Sequence, residues 1–155
     1  MNSTDGPAGV TFLDHTADLG MDVDAGSFAQ LLHRAALGML ALLYGEEEEG
    51  QGSTTPDSSR GRSLRFDAVS AEVTGGGPSE LLAAWLREIL FFHEVRHLDY
   101  VRSELDVVGE YRIAGTILAR PAGRAVREIK GVTYHELQAV QQPEGTWRAR
   151  VIFDV

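Results

Sequence analysis

From Trp147 to Val155 the chain alternates: Trp147, Ala149, Val151, Phe153 and Val155 share one parity, and Arg148, Arg150, Ile152 and Asp154 the other. Successive side chains leave opposite faces of a pleated strand, so period two marks a strand with one covered face. A chain with this segment must build a sheet and pack something against it. The pattern also puts Asp154 on the face away from the main apolar row. Pro143-Glu144-Gly145 just before it is a tight-turn sequence, and 129–142 reads as the other arm of a final hairpin.

Further strand signals fall at 10–13, 19–24, 64–73 (Phe66 and Val69 inward), 100–110 and 111–120, the last two paired and followed by a polar turn at 121–127. Two segments carry helical spacing instead. Ser27 and Gln30 fit a capping box, and Leu31, Leu32, Ala35, Ala36, Met39, Leu42 and Leu43 then form a stripe. Ser79 is the expected cap of a second helix, with Leu82, Trp85, Leu86, Ile89, Leu90 and His93 along one face and Phe91 and Phe92 in adjacent positions. The preceding Gly75-Gly76-Gly77-Pro78 lacks the phosphate-loop lysine and the spaced-glycine fingerprint, so it reads as a connector. Strands outnumber helices and mostly follow one another. The fold class is therefore α+β, a single domain with two helices packed on a largely antiparallel β-sheet.

The 155 residues suffice for one core without covalent staples. Residues 1–8, rich in Ser, Thr, Gly and Pro, are expected to be a disordered N-terminus, and 9–155 a single domain. Within it, 45–62 holds four successive glutamates and then Gly, Ser, Thr, Pro and Asp, the composition of a mobile acidic loop. There are no cysteines, which excludes disulfides, thiolate metal sites and cysteine nucleophiles. A net charge of −9 argues against independent nucleic-acid binding, although Arg60, Arg62 and Arg65, and Arg120, Arg124, Arg127 and Lys130, form small basic clusters. Met1–Gly9 has neither the charge nor the apolar run of a signal peptide, and no stretch is long enough for a membrane span. The expected location is cytoplasmic.

His93-Glu94-Val95-Arg96-His97 spells His-Glu-x-x-His, which on a helix sets two imidazoles on one face to share a zinc, with the glutamate as base. A zinc-dependent hydrolase is thus one alternative, but the motif falls at an expected helix end. There the helix dipole alone accounts for a histidine. A general chaperone or adaptor is another alternative.

The stretch Phe12 to Gly20 sets Asp14, His15 and Asp18 around a turn between two strands. If the last strand lies beside the first, Asp154 and the terminal carboxylate of Val155 join them. The donors would then suit a divalent ion such as Ca, Mg or Mn, with Lys130 balancing charge or holding a phosphate. The structural alternative stays open: Asp14 and His15 as turn caps, Asp18 as a strand start, Lys130 as a solvated edge residue.

Three of these segments, Asp14-His15-Thr16-Ala17-Asp18, Lys130-Gly131-Val132-Thr133-Tyr134-His135 and Val151-Ile152-Phe153-Asp154-Val155, resemble in order the signatures of the archease family. The resemblance runs from Phe12 to Val155 outside the acidic loop. It implies a protein that is not itself an enzyme but activates an RtcB-type RNA ligase of tRNA splicing and RNA repair, promoting its guanylylation and multiple turnover. It implies Asp18, Lys130 and Asp154 as the activating residues. Together with the donor chemistry above, this gives an expected divalent metal (Ca, Mg or Mn) on Asp18, Asp154 and the Val155 carboxylate, with Asp14 and His15 as further candidates. RNA would be met only through the ligase, and GTP at a shared site. Two positions depart from the pattern: Gly131 stands where members commonly have alanine, and Gly26-Ser27 where many carry a charge.

Overall fold

The computed structural model describes residues 4–5, 7–14, 18–45 and 65–155. In chain order the elements are β1 (Thr4–Asp5), β2 (Val10–Asp14), β3 (Leu19–Ala25), α1 (Phe28–Tyr44), β4 (Asp67–Thr74), α2 (Pro78–Val95), β5 (Leu98–Gly109), β6 (Arg112–Pro121), β7 (Gly131–Val132), β8 (Gln138–Gln141) and β9 (Trp147–Asp154). They form a six-stranded sheet ordered β1-β2-β3-β9-β7, with β8 also on β9, and a three-stranded sheet ordered β4-β6-β5. Every pairing is antiparallel. The helices touch both sheets: α1 packs on β3 and β9 and on β5, α2 on β4 and β5 and on β7 and β8. The core therefore lies in two layers, one on each side of the helix pair, and the expected α+β class holds.

This sandwiching explains why α1 is buried over the unbroken run Gly38–Leu43 and not along a single stripe. All seven positions of its expected stripe are buried. Gly38 is small because a Cβ there would sit 2.7 Å from the Met21 sulfur and 3.1 Å from Val10. Trp85 of α2 is fully buried, and its indole N–H donates to Leu32 O of α1 at 2.8 Å, which ties the helices together. Ser27 caps α1, its hydroxyl accepting from Gln30 N at 3.1 Å. The reciprocal bond is displaced by one residue, since Gln30 Oε1 accepts from Gly26 N and not from the cap's own N–H.

Several expectations need correction. Phe66 is exposed and precedes β4, whose inward residues are Val69, Ala71 and Val73. Phe66 and Val69 have opposite parity, so a pleated strand cannot turn both inward. Ser79 does not cap α2. The cap position is Gly77, Pro78 takes the first turn, and Ser79 Oγ accepts from Ala139 N at 2.9 Å, fastening α2 to β8. Phe91 is exposed, whereas Phe92 is buried. The arm 129–142 is split into β7 and β8, because 133–137 leaves the ladder through a turn with Glu136 at φ 54°. Within the segment 1–8, Thr4–Asp5 pair with Phe12 and Thr11 across a turn closed by Gly9 at φ 76°. The acidic stretch 46–62 lies outside the described residues. No helix among those described is long and apolar enough to cross a membrane.

Candidate functional site

Three strand ends meet at one pole of the large sheet. β9 lies between β3 and β7, with Leu19 opposite Phe153 on one side and Gly131 opposite Asp154 on the other. Asp18 immediately precedes Leu19 and Asp154 follows Phe153, so the two aspartates continue the register to facing positions. Lys130 precedes Gly131, and its N–H donates to Asp154 O at 2.7 Å. Asp18, Asp154, Lys130 and Val155 are thus neighbours in space, although they lie far apart in sequence. Lys130, Asp154 and Val155 are exposed and Asp18 half-buried. Neither aspartate side chain nor the Lys130 ammonium has a hydrogen bond or ion pair to another described residue. Asp14 ends β2 opposite Leu19, which brings its backbone to the same pole. Its side chain and all of His15 lie outside the described residues.

The far end of α1 holds Lys130 in place. After a two-residue turn α1 runs back along β3, so its C-terminus returns to the pole, closed by Gly45 in the left-handed conformation at φ 72°. The last carbonyls of a helix have no partner within it. Here Leu43 O accepts from Val126 N (3.0 Å) and Arg127 N (3.1 Å), and Leu42 O accepts from Arg127 Nη1 at 2.8 Å. A cation at a helix C-terminus is also favoured by the dipole. The segment 122–130 is therefore pinned before it delivers Lys130 to β9, with Ile129 buried as the last anchor. On the other side of Lys130, Thr133 N and Oγ1 both donate to Ile152 O, at 3.0 and 3.1 Å.

A residue absent from the sequence reading completes this clamp. Arg87, half-buried on α2, donates to Val132 O at 3.0 Å and to the Tyr134 hydroxyl at 3.2 Å, with its guanidinium 4.8 Å from the Tyr134 ring centroid. The only sequence signal was a cation directly after the buried Trp85-Leu86 pair of α2.

The His-Glu-x-x-His reading fails on geometry. α2 ends at Val95 with Arg96 as cap, and His97 lies beyond it in the left-handed region at φ 55°. The two imidazoles are therefore not on one helical face. Instead His93 Nδ1 is 2.7 Å from Oδ1 of the buried Asp99, whose other oxygen accepts from the Tyr44 hydroxyl. Gly123 N donates in turn to that hydroxyl at 3.0 Å. Burial, then the bond to Asp99, pushes the Tyr44 phenol well above its ordinary value. The network joins the ends of both helices to β5 and the 121–127 segment beneath a cleft of about 550 Å³ lined by His93, Glu94, His97 and Arg127. Among the described residues no three His, Asp or Glu side chains are gathered closely enough to hold a metal. A second depression of about 650 Å³, on the outer face of the large sheet, is lined by residues already paired: Arg150 with Asp22 (2.7 Å) and Arg148 with Asp24 (2.9 Å).

Of the basic clusters, Arg60 and Arg62 lie outside the described residues and Arg65 is an exposed neighbour of Asp67 at 4.0 Å. Arg120 and Arg124 are exposed, while Arg127 serves the end of α1.

The chain resembles known proteins over almost its whole length. It is 28% identical over 150 residues to a protein archease of Methanopyrus kandleri (92% of this chain, 96% of the relative). Against that of Methanosarcina barkeri it is 26% identical over 152 residues (93% and 94%). The fold matches the solution structure of protein 1598 of Methanobacterium thermoautotrophicum with a TM-score of 0.64 at 23% identity, covering 95% of this chain and 99% of that one. It also matches the crystal structure of an archease, possible chaperone, of Thermotoga maritima, with a TM-score of 0.60 at 16% identity over 92% and 94%. The family model for the Archease protein family (MTH1598/TM1083) matches residues 11–155, which include the strand ends carrying Asp18, Lys130 and Asp154, and the chain belongs to that family.

Proposed function

We propose that this protein is a non-catalytic activator of an RtcB-type RNA ligase, promoting guanylylation of the ligase and restoring it for multiple turnover. The observation that carries this reading is the β3–β9–β7 register, which brings Asp18, Asp154 and Lys130 to one exposed pole with no partner for their charges among the described residues. Facing like charges on neighbouring strands repel, so the pair is a natural seat for a cation. Hard oxygen donors suit Ca, Mg or Mn. Asp18 and Asp154 would hold the ion, joined by Asp14 and His15. Such an ion supplies charge stabilisation to phosphoryl transfer. Lys130, held by its backbone bond to Asp154, would meet a phosphate of GTP at the site shared with the ligase. RNA would be contacted through the ligase alone, and the net charge of −9 favours encounter with a basic partner. Action in the cytoplasm, in tRNA splicing and RNA repair, follows from the same reading.

The test is multiple-turnover ligation by an RtcB-type ligase with GTP and Mn, run without addition, with this protein, and with Asp154→Ala. Enhancement that the variant loses is the expected result. Enhancement that survives both Asp18→Ala and Asp154→Ala would favour a chaperone or adaptor acting through its surface. No enhancement by the parent protein, with a competent ligase, would refute the proposal.

A further inference from the structure

We infer that Tyr134 is an aromatic anchor by which this protein docks on its ligase partner, and that Arg87 is the positioning residue that holds the ring ready. The inference rests on the activator reading above and adds the contact surface to it. Tyr134 is 65% exposed, so its ring does not serve the core. It is nevertheless held: Arg87 bonds its hydroxyl, lies over its ring and bonds Val132 O two residues back. Among the described residues Arg87 forms no ion pair with a carboxylate, so its charge is committed to this segment.

Fixing a long arginine and an exposed tyrosine costs side-chain entropy, and a cation–π contact at an exposed site returns only about 0.5–1 kcal/mol. Folding gains little from the arrangement, whereas binding gains from a ring already in its bound position. Tyr and Arg are the residue types most concentrated among interface hot spots. The position fits the role, because Tyr134 follows Lys130 by four residues on the segment clamped to β9. A partner that engages Lys130 and extends along this segment would meet the ring. Docking in this way requires of the ligase a surface that takes up one aromatic ring.

The test titrates parent, Tyr134→Ala, Tyr134→Phe and Arg87→Lys into the ligation reaction, reading half-saturating concentration and rate at saturation separately. Direct binding to immobilised ligase and thermal melts accompany the titrations. For Tyr134→Ala the half-saturating concentration is expected to rise by about tenfold or more, the scale of a hot-spot residue. That loss should appear in the binding measurement with the melt unchanged. Tyr134→Phe should keep most of the affinity. Arg87→Lys, which retains the charge but not the two-pronged hold, should fall between. An unchanged half-saturating concentration for Tyr134→Ala, or a loss confined to the rate at saturation, would overturn the inference while leaving the activator reading standing. If the parent protein neither binds nor activates, the activator reading fails and the inference falls with it.

Discussion

Asp154→Asn removes one charge from the facing pair Asp18/Asp154 and keeps the side chain's shape. Like charges directly opposite on paired strands destabilise by about 0.2–1 kcal/mol, and exposed groups fall at the lower end because water screens them. In chelator and low salt the variant should therefore be slightly more stable than the parent. For a chain of this length about 1 kcal/mol corresponds to roughly 2–4 °C, so the gain in melting temperature is at most a few degrees. Raising the ionic strength toward 1 M, where the Debye length shrinks to about 3 Å, should erase it. Adding Ca, Mg or Mn should reverse the order. An ion at 100 times its dissociation constant stabilises the protein that binds it by about 2.7 kcal/mol, or roughly 5–11 °C. The parent gains this and the variant little of it. Melts followed by circular dichroism in EDTA and then across a metal titration give both halves. A variant less stable than the parent without metal, or one with an undiminished metal shift, would refute the cation-seat reasoning.

Gly131→Ala tests the departure from the family pattern beside Lys130: a Cβ there meets nothing within 4 Å and φ lies outside the left-handed region. The change should stabilise by about 0.4–1 kcal/mol through the unfolded chain, read by denaturant melts, and leave ligase activation intact. Gly115→Ala is the opposite case, because its Cβ would press on the backbone of β5, at Glu104 O and 2.9 Å from Leu105 Cα. It should cost at least the roughly 1–3 kcal/mol of core overpacking, measured the same way. His33, 2.7 Å from the Tyr100 hydroxyl, has its pKa held below 6.5 by burial and then by Arg34. The unfolded chain thus binds more protons as pH falls below 6.5, so this contribution is fully present above that pH and is lost below it. His33→Gln should flatten the stability profile between about pH 7 and 5 relative to the parent, in urea melts across that range.

What sequence made legible and what it hid divide along physical lines. The α1 stripe and the β5–β6 pair came out where the sequence put them. The alternation of β9 held for the buried Ala149, Val151 and Phe153 and the exposed Arg148 and Asp154, but Ile152, on the opposite parity, is buried as well and Val155 is exposed. Ser79 misled because a hydroxyl near a helix start has two uses, and here the proline at the first turn moved the cap to Gly77 and freed Ser79 for β8. The break between β7 and β8 depends on a left-handed Glu136, a conformation the residue type does not announce. Arg87 was invisible because its partners, Val132 and Tyr134, lie 45 and 47 residues away on another element. The zincin wording matched residue types at helical spacing, but it fell at an expected helix end, and the helix does end inside it, at Val95, rather than continuing to His97.

The acidic pole needs no such continuation, only the pairing of β3 with β9, and the core fixes that pairing. Met21 and Val23 on β3 and Ala149, Val151 and Phe153 on β9 are all buried. A slip of one residue would turn one strand's whole set outward. Burying a Val, Met or Phe side chain is worth about 1.5–3 kcal/mol. Displacing Val151 and Phe153 alone would therefore cost roughly 3–6 kcal/mol, and relief of the Asp18/Asp154 repulsion could return no more than about 1 kcal/mol. The register cannot yield, so the backbone holds Asp18 and Asp154 at facing positions whether or not a cation is present. A cation bound there, as proposed, would spend little of its binding energy on assembling these two ligands. The energy that specifies the fold thus keeps Asp18 and Asp154 facing each other, and Lys130 is added by the segment anchored to the end of α1.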